Sequence, residues 1–328
     1  MKRKELNVDI KLLKAMFGCT QGQLKKAIED FVVDIYGKEN SIIQDKYIIG
    51  LGTDPVALVS HLDTVHATPA YKVYYDKEED VMWSPMGLGA DDRAGVYSIV
   101  HVVNSGYRPT VIFTTDEEVG GVGASALVKD IAKAPTELRF MLQLDRRGSV
   151  DCVFYDCDNP EFEKYLNSFG FVTDIGSFSD ICFIAPDWGI AAANLSIGYY
   201  DEHTKQETLK PNEMYRTINR VCDILDDCHT ADFFKHIERS REAYNYPNWY
   251  SSYPTVEDGE ICYNCLDTFN KDQVVYTQDG SCYCVDCFEK VVRYCDNCGS
   301  EYLLNNNTYL TDQNLCPFCA RECFGHNN

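Results

Sequence analysis

The sequence predicts an α/β domain on a mainly parallel sheet, followed by a small cysteine-rich tail. Three observations lead there. Residues 1–242 alternate helical and strand patterns, as in a sheet whose strands are joined by helices. Of 16 cysteines, ten fall between Cys262 and Cys323. Between these regions, residues 243–260 read AYNYPNWYSSYPTVEDGE, rich in Tyr, Pro, Ser and Asn and without periodicity, as a linker would be. The expected parts are therefore 1–242, 243–260 and 261–328.

Each element follows from its pattern. Leu12, Leu13, Met16, Leu24, Ala27, Ile28, Phe31 and Val32 stand at helical spacing and predict helix over 9–36. A hairpin region follows and ends in the apolar run PVALVS before His61. RAGVYSIVHVVN (93–104) predicts a buried helix, and TVIFTT (110–115) a β-branched strand. Helix is expected over 122–132 and 161–169, and strands at ELRFMLQL (137–144) and GIAAANLS (189–196). An amphipathic helix over 212–237 closes the domain.

Composition narrows the function classes. The 328 residues carry 51 acids against 30 bases, a formal charge of −21, which excludes general binding to phosphate backbones or anionic lipid. The basic start MKRKELNVDI is not followed by a signal-like apolar run, and no stretch approaches 18 apolar residues. A cytoplasmic protein is expected, in which cysteines serve as thiols or metal ligands.

Four predicted strands run into metal-binding side chains. PVALVS leads to His61 and Asp63 in SHLDTVH; TVIFTT to Asp116, Glu117 and Glu118 in TTDEEVGG; FMLQL to Asp145 in LDRRG; and the strand at 189–196 to His203 in GYYDEH. Asp91 and Asp92, in GLGADDRAG, stand at a helix entry. Ligands of open α/β sheets bind at the carboxyl ends of the strands. Imidazole with carboxylate suits zinc, although another divalent metal would accept the same donors. Two histidines and this many carboxylates exceed one tetrahedral ion and fit two ions sharing a carboxylate. Glu117 and Glu118 are adjacent, so one can bind metal while the other faces the metal-bound water as general base. Taken singly, each of these residues reads as an exposed acid or a satisfied histidine. His66, Asp92, Asp116 and Asp201 read as supporting or surface residues, with Asp92 able to exchange roles with Asp91. No chemistry is assigned to His101, His229 or His236, the last two expected on the final helix.

These motifs, in this order over most of residues 10–235, resemble the co-catalytic zinc exopeptidase superfamily, which includes bacterial leucyl aminopeptidases, peptidase T and related di- and tripeptidases. The resemblance implies a three-layer α/β/α domain and two catalytic Zn2+. It makes His61 a ligand of one zinc oriented by Asp63, Asp91 the bridge, Glu117 the base, Glu118 a ligand, Asp145 a ligand beside His61, and His203 a ligand beside Glu118. GSFSDICFIAPDWGIAA resembles the Ser-Asp stretch that lines the pocket in aminopeptidases, with Ile181 where many have His. The intervals 61–91 and 145–203, 30 and 58 residues, are too short for the lid domain of many relatives. The implied reaction is hydrolysis of a peptide (amide) bond by a two-zinc-activated water, with a small peptide as substrate: an aminopeptidase or dipeptidase. The alternatives are a deacylase or amidohydrolase on a non-peptide amide, and a protein that binds through its tail.

The tail carries four Cys-x-x-Cys pairs: Cys262/Cys265, Cys284/Cys287, Cys295/Cys298 and Cys316/Cys319. Eighteen residues separate the first two pairs and 17 the last two, which is zinc-site spacing. VVYTQDGSCYC and TYLTDQNLC read as hairpins. The tail resembles tandem treble-clef or zinc-ribbon modules, including those of LIM domains, and would hold two structural Zn2+. Near-equal spacing favours sequential pairing over a cross-braced one. Cys282 and Cys323 are spare, and Cys282 competes with Cys284. From Thr255 onward the tail has 12 acids and 4 bases, so nucleic acid is not expected there; the tail is expected either to bind a protein partner or substrate, or to be a metal-stapled appendage that packs on the enzyme or supports an oligomer.

Overall fold

The computed structural model describes residues 8–176, 178–238, 260–261, 268–276, 282–294 and 301–303. The chain divides into two units, Met1–Arg241 and Glu242–Asn328.

The first unit opens with α1 (Ile10–Phe17) and α2 (Gln21–Tyr36), so the helical pattern over 9–36 is two helices. The break has a local cause. Thr20 caps α2 and forms a reciprocal capping box with Gln23, which starts a new helix there. Leu24, Ile28, Val32 and Tyr36 then bury one stripe. Next come β1 (Ser41–Ile43) and β2 (Tyr47–Gly50), the expected hairpin, and β3 (Asp54–His61). A second hairpin, β4 (Tyr74–Asp76) and β5 (Val81–Trp83), precedes α3 (Ala90–Asn104). Then follow β6 (Pro109–Thr114), α4 (Val122–Asp130), β7 (Phe140–Arg146), β8 (Asp151–Val153), α5 (Pro160–Ser168) and β9 (Val172–Thr173). The unit closes with α6 (Ile181–Trp188), β10 (Ala192–Ser196), β11 (Tyr199–Tyr200), β12 (Thr208–Leu209) and α7 (Pro211–Asp227).

Eight strands form one sheet in the order β1-β2-β6-β3-β7-β10-β8-β9. Its centre, β6-β3-β7-β10, is parallel, and β2 and β8 flank it antiparallel. The central strands are apolar on both faces because both faces are covered. Val56 and Leu58 pack with residues of α1, α2, α3, α5 and α7, whereas Ala57 and Val59 pack with α4 and α6. This is a three-layer α/β/α domain. The intervals 61–91 and 145–203 hold only short elements of this unit and no lid. A second sheet, β11-β12-β5-β4, joins the hairpin after β3 to strands well over 100 residues later.

The expected helix over 212–237 ends at Asp227. Thr230 and Ala231 donate back to the Asp227 carbonyl, and the chain then runs extended, pairing Lys235 with Ile190 and Glu238 with Cys157. Phe234 leaves the helical path to fill an aromatic cluster with Phe140, Phe162 and Tyr165. His229 and His236 therefore lie beyond the helix. The strand expected over 189–196 starts at Ala192, because α6 occupies 181–188 and ends at Gly189.

In the second unit, β13 (Glu260–Ile261) pairs with β14 (Thr268–Phe269). The predicted hairpin is β15 (Val274–Tyr276) with β16 (Cys282–Cys284), which leads into α8 (Val285–Val291). β17 (Val292–Tyr294) pairs with β18 (Glu301–Leu303). The buried residues described here are Tyr283, Cys284, Cys287 and Val292, with Phe269 and Phe288 against them. Cys262, Cys265, Cys295, Cys298, Cys316, Cys319, Cys323 and the TYLTDQNLC hairpin lie outside the described residues, as does the proposed linker as far as Gly259. Among the described residues, no helix is long and apolar enough to cross a membrane.

Candidate metal centre

Strand ends bring the predicted residues together. His61 is the last residue of β3 and Asp63 follows two positions later. Asp116, Glu117 and Glu118 form the turn after β6, Asp145 lies near the end of β7, and Asp91 and Asp92 begin α3 with non-helical backbone. The Asp91–Asp92 peptide bond is cis. His203 does not end the 189–196 strand. It sits in the turn between β11 and β12, at φ 63°.

Asp91 lies between the two histidines. Its Oδ1 is 3.1 Å from His61 Nε2, and its Oδ2 is 3.2 Å from His203 Nε2. His61 Nε2 is also 3.4 Å from Asp145 Oδ1 and 4.0 Å from Glu117 Oε2, while His203 Nε2 is 3.0 Å from Glu118 Oε2. Asp63 stands behind them. Its Oδ1 is 3.3 Å from His61 Nδ1 and accepts the Glu117 N–H, and its Oδ2 accepts the Glu118 N–H. One carboxylate thus orients an imidazole and the turn that carries both glutamates.

Burial and crowding of like charges set the electrostatics. Burial pushes the Glu117 carboxyl up to about 9; Asp145, Asp180 and Glu118 add to this while His61 opposes it. Burial likewise raises Asp145 to about 7, with His61 pulling the other way and Asp91 repelling. For Asp63 the burial penalty is outweighed by His61 and the two N–H donors, and its carboxyl is held below the usual range. Hydrogen bonds to Asp91 and Glu118 lift His203 to about 11.

The donor set suits metal. Two groups, His61 with Asp91 and Glu118, and His61 with Asp92 and Asp145, each have ligand atoms within 4.8 Å of one another. Glu118 Oε1 is buried without a hydrogen-bond partner, which a cation would supply. Asp92 is fully buried and is hydrogen-bonded by Ser60 and by the N–H groups of His61 and Gly95.

Several further residues support these groups. Gln143 donates to Asp145 Oδ2 and accepts from Ser179 and from the Ile181 N–H. The β7–β10 register shifts at Asn194, whose side chain accepts the Asp145 N–H and donates to its carbonyl. Tyr199 donates to Asp145 Oδ1. Glu207 accepts from Asp91, Gly89 and His66. A polar residue inside the apolar strands FMLQL and AANLS is the one sequence signal that marks Gln143 and Asn194. Ser179 and Asp180, expected to line a pocket, are fully buried; Asp180 is held by Thr114. Asp116 turns to Lys46 and Gln21. Arg146 is engaged with Asp174, and Arg147 with Glu202. His101 packs between Tyr97 and Tyr215, and His229 pairs with Asp54, so neither joins the cluster.

No family model and no curated protein sequence matches the chain. Solved structures do match its fold. The aminopeptidase PepT from Bacillus cereus superposes at TM-score 0.55 with 15% identity, over 67% of this chain and 98% of that one. A tripeptidase from Staphylococcus aureus gives 0.53 with 13% identity, over 68% and 98%. A TET aminopeptidase from a marine-sediment thaumarchaeon gives 0.52 with 12% identity, over 66% and 96%.

Proposed function

We propose that residues 1–242 form a metal-dependent peptide hydrolase, an aminopeptidase or dipeptidase, that works with two divalent ions, zinc foremost. The observation that carries this reading is the single carboxylate of Asp91 facing His61 with one oxygen and His203 with the other. The fold shared with an aminopeptidase and a tripeptidase supports it. His61, Asp91 and Asp145 would hold one ion, and Asp91, Glu118 and His203 the other. Bound there, the ions would bring the pKa of water toward neutrality and polarise a carbonyl. Glu117 takes the proton of the attacking water and returns it to the leaving amine. Asp63 fixes the ring of His61 and the direction of Glu117. A non-peptide amide would be cleaved by the same groups, and substrate trials separate the two.

The tail, residues 261–328, is read as two structural Zn2+ sites built from Cys262, Cys265, Cys284, Cys287, Cys295, Cys298, Cys316 and Cys319, and as a surface for a protein partner. In support, β16 leads into α8 with Cys284 at its N-cap and Cys287 in its first turn.

The test is metal analysis with a substrate panel. Zinc-loaded protein should hold about four ions per chain by this ligand count. It should cleave dipeptides or amino-acid amides faster than acylated amino acids; the reverse order assigns a deacylase. Glu117→Gln should retain the ions and slow turnover by about 10²- to 10⁴-fold. Full activity in that variant rejects the assigned base.

A further inference from the structure

We infer that Glu207, which lies outside the proposed ligand set, is the positioning residue for Asp91 and thereby fixes the spacing of the two half-sites; this rests on the two-ion reading above. Glu207 is 1% exposed and stands immediately before β12. Three donors from two other loops converge on its carboxylate. The Asp91 N–H donates to Oε1 at 2.9 Å, the Gly89 N–H donates to Oε2 at 2.6 Å, and His66 Nε2 lies 3.0 Å from Oε2.

The backbone is shaped for this convergence. Asp91 and Asp92 have φ/ψ of −79°/106° and −116°/36°, so the chain leaves helical geometry where it carries the shared carboxylate. Gly87 and Gly89 both have positive φ, 91° and 71°, which L side chains rarely adopt. A Cβ on Gly87 would lie 2.2 Å from His66 Cε1, so the loop GLG closes on the histidine that Glu207 holds. Arg93, the cation nearest in sequence to this loop, is 5% exposed and donates to the Phe17 carbonyl.

The consequence is specific to Asp91. With its N–H pinned, its two oxygens are presented to His61 and His203. His203 lies on the same turn as Glu207, four residues earlier, so one carboxylate ties the turn bearing His203 to the loop bearing Asp91. A residue that only stabilised the fold would not set this distance.

The experiment uses the full chain, leaves the thiolate sites loaded with zinc, and titrates Mn2+ while the EPR signal of the free ion is followed. Mn2+ favours carboxylate and imidazole over thiolate, so it reports the proposed catalytic centre. Wild type should bind two Mn2+. Glu207→Ala should weaken both by about 10- to 100-fold, as losses around metal ligands do. Glu207→Gln, which keeps the shape and one acceptor oxygen, should fall between and regain kcat to within a few-fold at saturating metal. Circular dichroism and thermal melting of the metal-free chains read folding separately. A Glu207→Gln variant with a lowered melting point but wild-type Mn2+ affinity overturns the inference and leaves a structural role. Wild type that binds fewer than two Mn2+ overturns the two-ion reading and this inference with it.

Discussion

Asp91 meets a histidine at each oxygen, and in the metal-free chain those contacts are charged. Hydrogen bonds to Asp91 and Glu118 hold His203 up to about 11, so its ring carries a proton at pH 7, while burial lowers His61, and Asp145, Asp63 and Asp91 together raise it. A cation at His203 would have to displace its proton. Metal affinity should therefore rise as pH increases toward the range of the histidines, and binding at pH 7 should release at least one proton. Calorimetry in two buffers of different ionisation enthalpy measures that release; equal heats in both would reject the charge assignment. Asp63→Asn removes the negative charge 3.3 Å from His61 Nδ1 and one of two N–H contacts in the glutamate turn, and should lower activity or metal affinity by about 10- to 100-fold in steady-state and metal-binding assays. At this scale the residues that face one another were legible, because His, Asp and Glu at strand ends stand out against apolar runs. Gln143, Asn194 and Glu207 were not. Asn194 and Glu207 work through partners 49 and 116 residues away, and although Gln143 stands two residues from Asp145, nothing in FMLQL names Ser179 as its other partner.

Elements were legible in proportion to how much of their pattern burial dictates. β3, β6 and β7 are covered on both faces and read as plain apolar runs. The strands of the small sheet have two or three residues, too short for any period, so β4 and β5 leave no signal in the sequence. The helical pattern of α7 runs on past Asp227 because apolar residues continue at near-helical spacing there, where Phe234 packs on Phe140 of β7 instead. The break between α1 and α2 turns on one side chain. Thr20→Ala removes the acceptor for the Gln23 N–H and should cost about 1 kcal/mol by urea unfolding. Hydrolysis should be unchanged, since Thr20 caps a helix and touches none of the cluster residues.

Over the whole molecule the 16 cysteines and the charge of −21 acquire different meanings by region. Buried cysteines of the first unit, such as Cys152 and Cys228, have thiols pushed up to about 12 by burial, so they remain protonated. Among the described residues, Cys284 and Cys287 are buried with Tyr283 and Val292. Replacing both with Ser should remove about one zinc per chain, counted by mass spectrometry of the native protein, and leave peptide hydrolysis intact. Loss of hydrolysis in that variant would show that the two units work together. Several acids of the first unit are not surface charge at all: Asp63, Asp91, Asp92, Glu117, Asp180 and Glu207 are buried.

The turn between β11 and β12 also fixes an order in time. A chain leaving the ribosome displays His61, Asp91, Glu117 and Asp145 well before His203 and Glu207 follow. The sheet that carries that turn to Asp91 joins β5 to β12, at residues 81–83 and 208–209, a contact that can close only late. Nascent protein therefore carries most of the proposed metal ligands before they can be brought together. Assembly of the cluster waits on residues that follow Asp145 by about 60 positions.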